Sequence, residues 1–136
     1  MAEALLRHLS RGRVEAFSAG TAPAGEVHPM ARATLLQHYG IRDDSLRSKS
    51  VDEFTGAAFD AVITVCDAAA AACPSWPGAR ASIHWSLPDP AAIRDAAART
   101  RAFADVANAL HARITEWLAE PGATRASPAG ESRERR

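Results

Sequence analysis

Cys66 and Cys73 are the only thiols in the 136-residue chain, and both fall just after one short apolar run. That run, Phe59-Asp60-Ala61-Val62-Ile63-Thr64-Val65, is rich in β-branched residues and reads as a buried parallel strand. It stops at Cys66-Asp67, which sets a thiol at the carboxyl end of the strand, the edge where open α/β sheets place ligands and chemistry. Asp67 and five alanines separate the thiols, a segment small enough to rearrange and bring them together. Both residues would also serve as small core hydrophobes. Cys-x6-Cys is not a zinc spacing, and no further Cys or close His pair completes a metal site. Spacing alone leaves the redox and packing readings open.

Asp89 is the carboxylate of interest. Pro88 and Pro90 restrict the backbone on both sides, so its side chain is presented from a stiff loop. A carboxylic acid held in this way can protonate a leaving oxygen, and it can equally be a plain turn aspartate. The histidines at 8, 28, 38, 84 and 111 are scattered and read as surface or packing residues.

The elements around these residues follow from periodicity and punctuation. Met1 to Leu9 is helical in composition, and Gly12 ends it. Val14–Ser18 alternates as a short strand, followed by a loop with Pro23 and Gly25. Pro29 opens a helix in which Met30, Ala33, Leu36 and Tyr39 share a face, and Gly40 closes it. Ser50 and Glu53 have the spacing of a capping box for a short helix containing Val51 and Phe54. Ser82–Trp85 supplies another short strand. Phe103, Val106, Leu110, Ile114 and Trp117 step by three and four along a last helix that ends near Glu120. Residues 121–136 are Pro, Gly, Ser and charge, and read as a disordered tail beyond one domain at 1–120.

Composition excludes some classes. Sixteen basic residues balance sixteen acidic ones, so no overall field points to nucleic acid or to a membrane surface. No apolar run approaches spanning length, and no secretory leader is expected. Two thiols without a disulfide framework suit a reducing, cytoplasmic setting.

The ordered segments Met1-Ala2-Glu3-Ala4-Leu5-Leu6, Ser18-Ala19-Gly20-Thr21, Pro23 to Pro29, Ser48-Lys49-Ser50-Val51-Asp52-Glu53-Phe54, Phe59-Asp60 through Cys66-Asp67, Cys73-Pro74, His84-Trp85 and Asp89-Pro90 resemble a known family. It is the thioredoxin-coupled arsenate reductases built on the low-molecular-weight protein tyrosine phosphatase fold. The resemblance runs from Met1 to about Leu118. It implies an α/β fold, a four-stranded parallel sheet flanked by helices. It also implies that the first, central strand and its Cys-x5-Arg oxyanion loop are absent from this chain, so that Val14–Ser18 lacks a neighbour. Such a loop at a helix N-terminus is what holds a tetrahedral anion.

The resemblance further implies a cysteine relay. A loop thiolate attacks arsenate while an acid at Asp89 assists the leaving oxygen. Cys66 then attacks the arsenic-bearing cysteine and releases arsenite, and Cys73 takes over the disulfide for reduction by thioredoxin. Closing Cys66–Cys73 requires Cα atoms within about 7 Å. Ser18, Glu3 and Lys49 match positions that support the oxyanion loop. Some relatives hold a monovalent cation near them, and here the Lys49 charge stands in that place, so no metal and no bound cofactor are expected. Three readings follow: an arsenate reductase that is catalytically incomplete as written, a phosphatase of the same fold, or a non-catalytic remnant or binding protein. The expected partners are arsenate and thioredoxin, with no nucleic acid and no membrane; oligomeric state has no signature.

Overall fold

The computed structural model of the protein describes residues 1–20, 25–67, 71, 76–120 and 133–135. The first helix, α1 (Ala2–Leu9), is followed by strand β1 (Glu15–Phe17) and helix α2 (Pro29–Tyr39). Strands β2 (Phe59–Thr64) and β3 (Ala79–His84) precede the long helix α3 (Ala96–Ala119), and β4 (Arg133–Arg135) comes last. Short 3-10 turns occupy Val51–Phe54 and Pro90–Ala92.

The strands form one sheet in the order β1-β4-β2-β3, parallel throughout. The fold class expected from sequence is therefore present, with one correction. A vacancy was expected beside β1 and a structureless tail after residue 120, yet Arg133–Arg135 lies between β1 and β2. Ala16 pairs with Glu134, and Ala61 pairs with the same residue from the other side. The physical reason is backbone accounting. Two parallel strands set one strand-width apart present facing rows of N–H and C=O groups, and any extended segment within reach satisfies both. The remaining tail residues, like Thr21–Ala24 and the Ala-rich stretch around Cys73, lie outside the described residues.

The core lies between the sheet and helices α1 and α3. Leu5 and Leu6 of α1, Val14 and Ala16, Ile63 of β2, and Val106, Leu110 and Ile114 of α3 are all buried together. The three-and-four stripe read along α3 is thus its inward face, with Trp117 packed at the margin.

Helix α2 is rotated from the expected stripe. Ala31, Thr34 and Leu35 are its buried residues, and Leu36 is exposed. Both ends of α2 are pinned to α3, which sets that rotation. The His28 ring lies 4.8 Å from the Phe103 ring, and Tyr39 stacks on His111 at 5.3 Å. The Tyr39 hydroxyl donates to Asn108 Oδ1, and burial raises its pKa above the ordinary tyrosine value. Gly40 then takes a left-handed conformation (φ 66°) and ends the helix, as its position suggested.

At the other end of the sheet, Phe17, Phe54, Phe59 and Trp76 meet edge to face with centroids 5.7–6.1 Å apart. Gly78 lets β3 begin close against this cluster. A Cβ there would stand 2.5 Å from the Ala57 carbonyl oxygen, which also accepts from Trp76 Nε1.

Candidate active site

β2 ends at Thr64, and the chain continues through Val65 to Cys66 and Asp67 at the carboxyl edge of the sheet. Pairing with the β3 side persists past the strand ends. Trp85 N–H donates to Thr64 O and Leu87 N–H donates to Val65 O, each at 2.8 Å. Cys66 is therefore held on a fixed backbone. It is half-buried and lines an open cleft of about 280 Å³ with Met1, His28, Val65, Asp89 and Phe103.

Asp89 reaches that cleft from the 3-10 turn at Pro90–Ala92. The two prolines do what their positions suggested: Pro90 starts the turn, and Asp89 Oδ1 accepts from Ala91 N–H at 3.0 Å. The carboxyl is exposed and oriented by that bond. His28 is also oriented. Its Nδ1 accepts from Met30 N–H at 3.1 Å as the cap of α2, so in the neutral ring the proton sits on Nε2. Cys73 lies outside the described residues. Of the three expected catalytic positions, Cys66 and Asp89 share one cleft.

The supporting residues form a second cluster, on α1 and the loops that cover it. Glu3 is buried at 3% exposure, yet carries a carboxylate. Glu3 Oε1 accepts from Ser18 Oγ at 2.8 Å and from Lys49 Nζ at 3.2 Å. Glu3 Oε2 lies 3.0 Å from Arg7 Nη1, one helical turn on. Lys49 arrives because Gly20 and Ser50 form a parallel bridge, with Gly20 N–H donating to Lys49 O. Ser18, Glu3 and Lys49 are thus brought into contact, and the lysine ammonium supplies the positive charge facing Glu3.

Arg7 and Asp43 belong to the same network and were not singled out from sequence. Arg7 also donates to Asp43 Oδ2 at 3.2 Å and to Ala16 O at 2.8 Å, tying α1 to β1. Burial raises the pKa of Asp43, but bonds from the Ser45 hydroxyl and N–H and from Arg7 outweigh it, and the net shift is downward. The Glu3-Arg7 spacing of one turn on a helix was the available signal; the Asp43 contact has none in sequence.

A third network lies beside Cys66. His84 Nδ1 is 2.7 Å from Thr64 Oγ1, and His84 Nε2 is 2.8 Å from Asp67 Oδ1, which also accepts from Ser86 Oγ. The bonds from His84 and then Ser86 hold the Asp67 carboxyl below its usual range. His84 is therefore not the isolated residue its place in the sequence suggested. Its alignment with Thr64, the last residue of the neighbouring parallel strand, was the clue. Among the described residues no group of three His, Cys, Asp or Glu side chains could hold a metal ion, and no helix is long and apolar enough to cross a membrane.

A parallel sheet with helices packed on it, and a thiol and an acid at its carboxyl edge, define an α/β domain of the phosphatase type. Residues 1–126 match the family model described as low molecular weight phosphotyrosine protein phosphatase, and the chain belongs to that family. A curated arsenate reductase from Halalkalibacterium halodurans is 32% identical over 77 residues, which are 57% of this chain and 54% of that protein. The chain thus spans about half the length of the curated relative it matches. A solved structure described as an arsenate reductase in reduced state superposes with a TM-score of 0.68 at 24% identity. That match covers 87% of this chain and 85% of the other, and it shows the shared fold.

Proposed function

We propose that the protein is an arsenate reductase in which Cys66 and Cys73 are the relay thiols and Asp89 is the acid. The observation that carries the reading is the shared cleft: the thiol at the end of β2 and the acid before the Pro90–Ala92 turn open onto the same space. A phosphatase transferring a phosphoryl group has no use for a relay pair of thiols, because its chemistry involves no change of oxidation state. The similarity to a curated arsenate reductase supports the same choice.

The electron count is that of two thiols. Arsenate, arsenic(V), accepts an electron pair and leaves as arsenite, arsenic(III), with loss of one oxygen as water; two thiols become one disulfide. Asp89 delivers a proton to the departing oxygen, which makes water or hydroxide rather than oxide the leaving group. Where a third thiolate, which residues 1–136 do not contain, carries the arsenic, Cys66 as thiolate attacks that sulfur; the sulfur–arsenic bond breaks, its electron pair leaves with arsenite, and the first disulfide forms. Cys73 displaces that sulfur and leaves Cys66–Cys73 joined, and a dithiol of the thioredoxin class restores both thiols by exchange. Residues 1–136 contain no Cys-x5-Arg segment, so these residues supply the relay and acid half of the site. Lys49, Ser18 and Glu3 brace α1, at whose N-terminus the anion would sit.

The test uses the chain under mild oxidation with oxidised glutathione, followed by peptide mapping. The reading predicts loss of both thiols together, a mass decrease of about 2 Da for the two hydrogens removed, and reversal by thioredoxin. Thiols that stay reduced, or that join only between molecules, would overturn it. Turnover of an aryl phosphate with no external dithiol reductant would favour the phosphatase reading that the family description allows.

A further inference from the structure

We infer that His84 is a positioning residue: its Nε2–H latches Asp67 to β3 and thereby fixes Cys66 at the mouth of the cleft. The inference rests on the relay reading for its purpose, but the latch is a property of the fold and is tested separately below.

Three hydrogen bonds converge on the carboxyl end of the β2–β3 pair. Thr64 and His84 are register partners, so their side chains leave the sheet on the same face. The imidazole bridges from Thr64 Oγ1 (2.7 Å to Nδ1) to Asp67 Oδ1 (2.8 Å to Nε2), and Ser86 Oγ adds a second donor to the same oxygen at 3.0 Å. Two residues of one loop are therefore clamped on either side of Cys66. Val65 is held through its carbonyl by Leu87 N–H, and Asp67 is held through its side chain. The backbone at Cys66 is therefore held from both directions.

The protonation pattern follows from the partners. An ionised Asp67 can only accept, so Nε2 must carry a proton. In the neutral ring Nδ1 is then the acceptor, and the Thr64 hydroxyl donates to it. In the charged ring Nδ1–H donates to Thr64 Oγ1 instead. Thr64 can play both parts because a hydroxyl both donates and accepts. The second partner selects the tautomer that makes the useful bond.

For a thiol relay this has a clear use. Cys66 must meet two different sulfurs in turn, and the exchange is fastest when one partner is already placed and only the other moves. The latch makes Cys66 the placed partner. The carboxylate next to it is engaged by His84 and Ser86. His84 touches no reacting atom, so its part is positional.

Two substitutions separate the bond from the bulk. Gln places a side-chain amide nitrogen where Nε2 stands, and Asn places one where Nδ1 stands. His84→Gln therefore keeps the donor to Asp67, and His84→Asn loses it. Both are made in the 136-residue chain. The readouts are alkylation of Cys66 by iodoacetamide, followed by peptide mapping, and closure of Cys66–Cys73 by oxidised glutathione, which leaves as two reduced glutathiones.

The expected result is that His84→Asn alkylates at Cys66 about fivefold faster than the unaltered chain and closes the disulfide more slowly. The His84 and Asp67 side chains are 37% and 81% exposed, and about fivefold is the upper end of what so open a pair gives. His84→Gln stays within about 1.5-fold on both readouts. Nitrogen NMR of the unaltered chain should show the neutral His84 ring protonated on Nε2. Equal behaviour of the Asn and Gln variants, or a ring protonated on Nδ1, overturns the latch. If the unaltered chain fails to close the disulfide while Cys66 alkylation still separates Asn from Gln, the relay reading falls and the latch stands.

Discussion

Replacing Lys49 by Met and Glu3 by Gln, singly and together, measures how the buried charges around α1 are balanced. The Glu3 and Lys49 side chains are 2% and 9% exposed, so neither charge is well served by water. Removing Lys49 leaves the Glu3 carboxylate with Arg7 at 3.0 Å and the Ser18 hydroxyl. The loss should resemble that of one charge-assisted hydrogen bond, about 2 kcal/mol. Converting Glu3 to Gln is worse, because the buried Lys49 ammonium then loses its carboxylate partner, while Arg7 keeps Asp43. Breaking a buried pair in this way costs about 3–5 kcal/mol. The double variant should cost less than the sum of the singles by about 1–3 kcal/mol, because removing Lys49 relieves the orphaned positive charge. Urea unfolding followed by circular dichroism supplies the numbers, provided the slope is unchanged between variants. Singles that add to within about 0.5 kcal/mol would show that the two groups are not coupled, and the reasoning would fail.

Acid stability should follow the carboxylates whose pKa values the fold lowers. For Asp67 the causes are the His84 and then the Ser86 bonds, with burial opposing; for Asp43 burial also opposes, and the Ser45 and Arg7 bonds outweigh it. A lowered folded pKa means that each contributes stability above the ordinary value of 3.8 and loses it as pH falls through the folded value. Carboxyl-carbon NMR should find both titrating below 3.8, with Ser86→Ala moving Asp67 upward; a titration of Asp67 at or above 3.8 would contradict the assignment. Deleting residues 121–136 removes β4 from between β1 and β2, so amide exchange at Ala16, Ala61 and Val62 should accelerate and the thermal midpoint should fall. Unchanged exchange at those amides would mean that the tail strand carries none of the sheet's stability.

Much of this was legible because it is local. β-branched density gave the buried strand before Cys66, the three-and-four spacing gave the inward face of α3, and Pro90 and Gly40 marked a turn and a helix end. The rotation of α2 was not legible, because its sequence carries no strong apolar face and two contacts to α3, at His28 and Tyr39, decide it. Nor was β4. Arg-Glu-Arg has nothing of a central parallel strand in its composition, and its place follows from facing backbone edges rather than from side-chain pattern. At the candidate site, Cys66 and Asp89 were visible as residue types in stiff or strand-end positions. The partners that hold the surroundings in place, Arg7, Asp43 and His84, come from distant parts of the chain, and only the fold brings them there.

The relay reading is tested most directly by giving the oxidised chain to thioredoxin, thioredoxin reductase and NADPH, and counting the NADPH consumed. One intramolecular disulfide consumes one NADPH per chain and returns two thiols. The account predicts that stoichiometry for the unaltered chain and none for Cys73→Ser, whose Cys66 has no partner within the chain. No NADPH consumption by the oxidised chain, or the same consumption by Cys73→Ser, would contradict it.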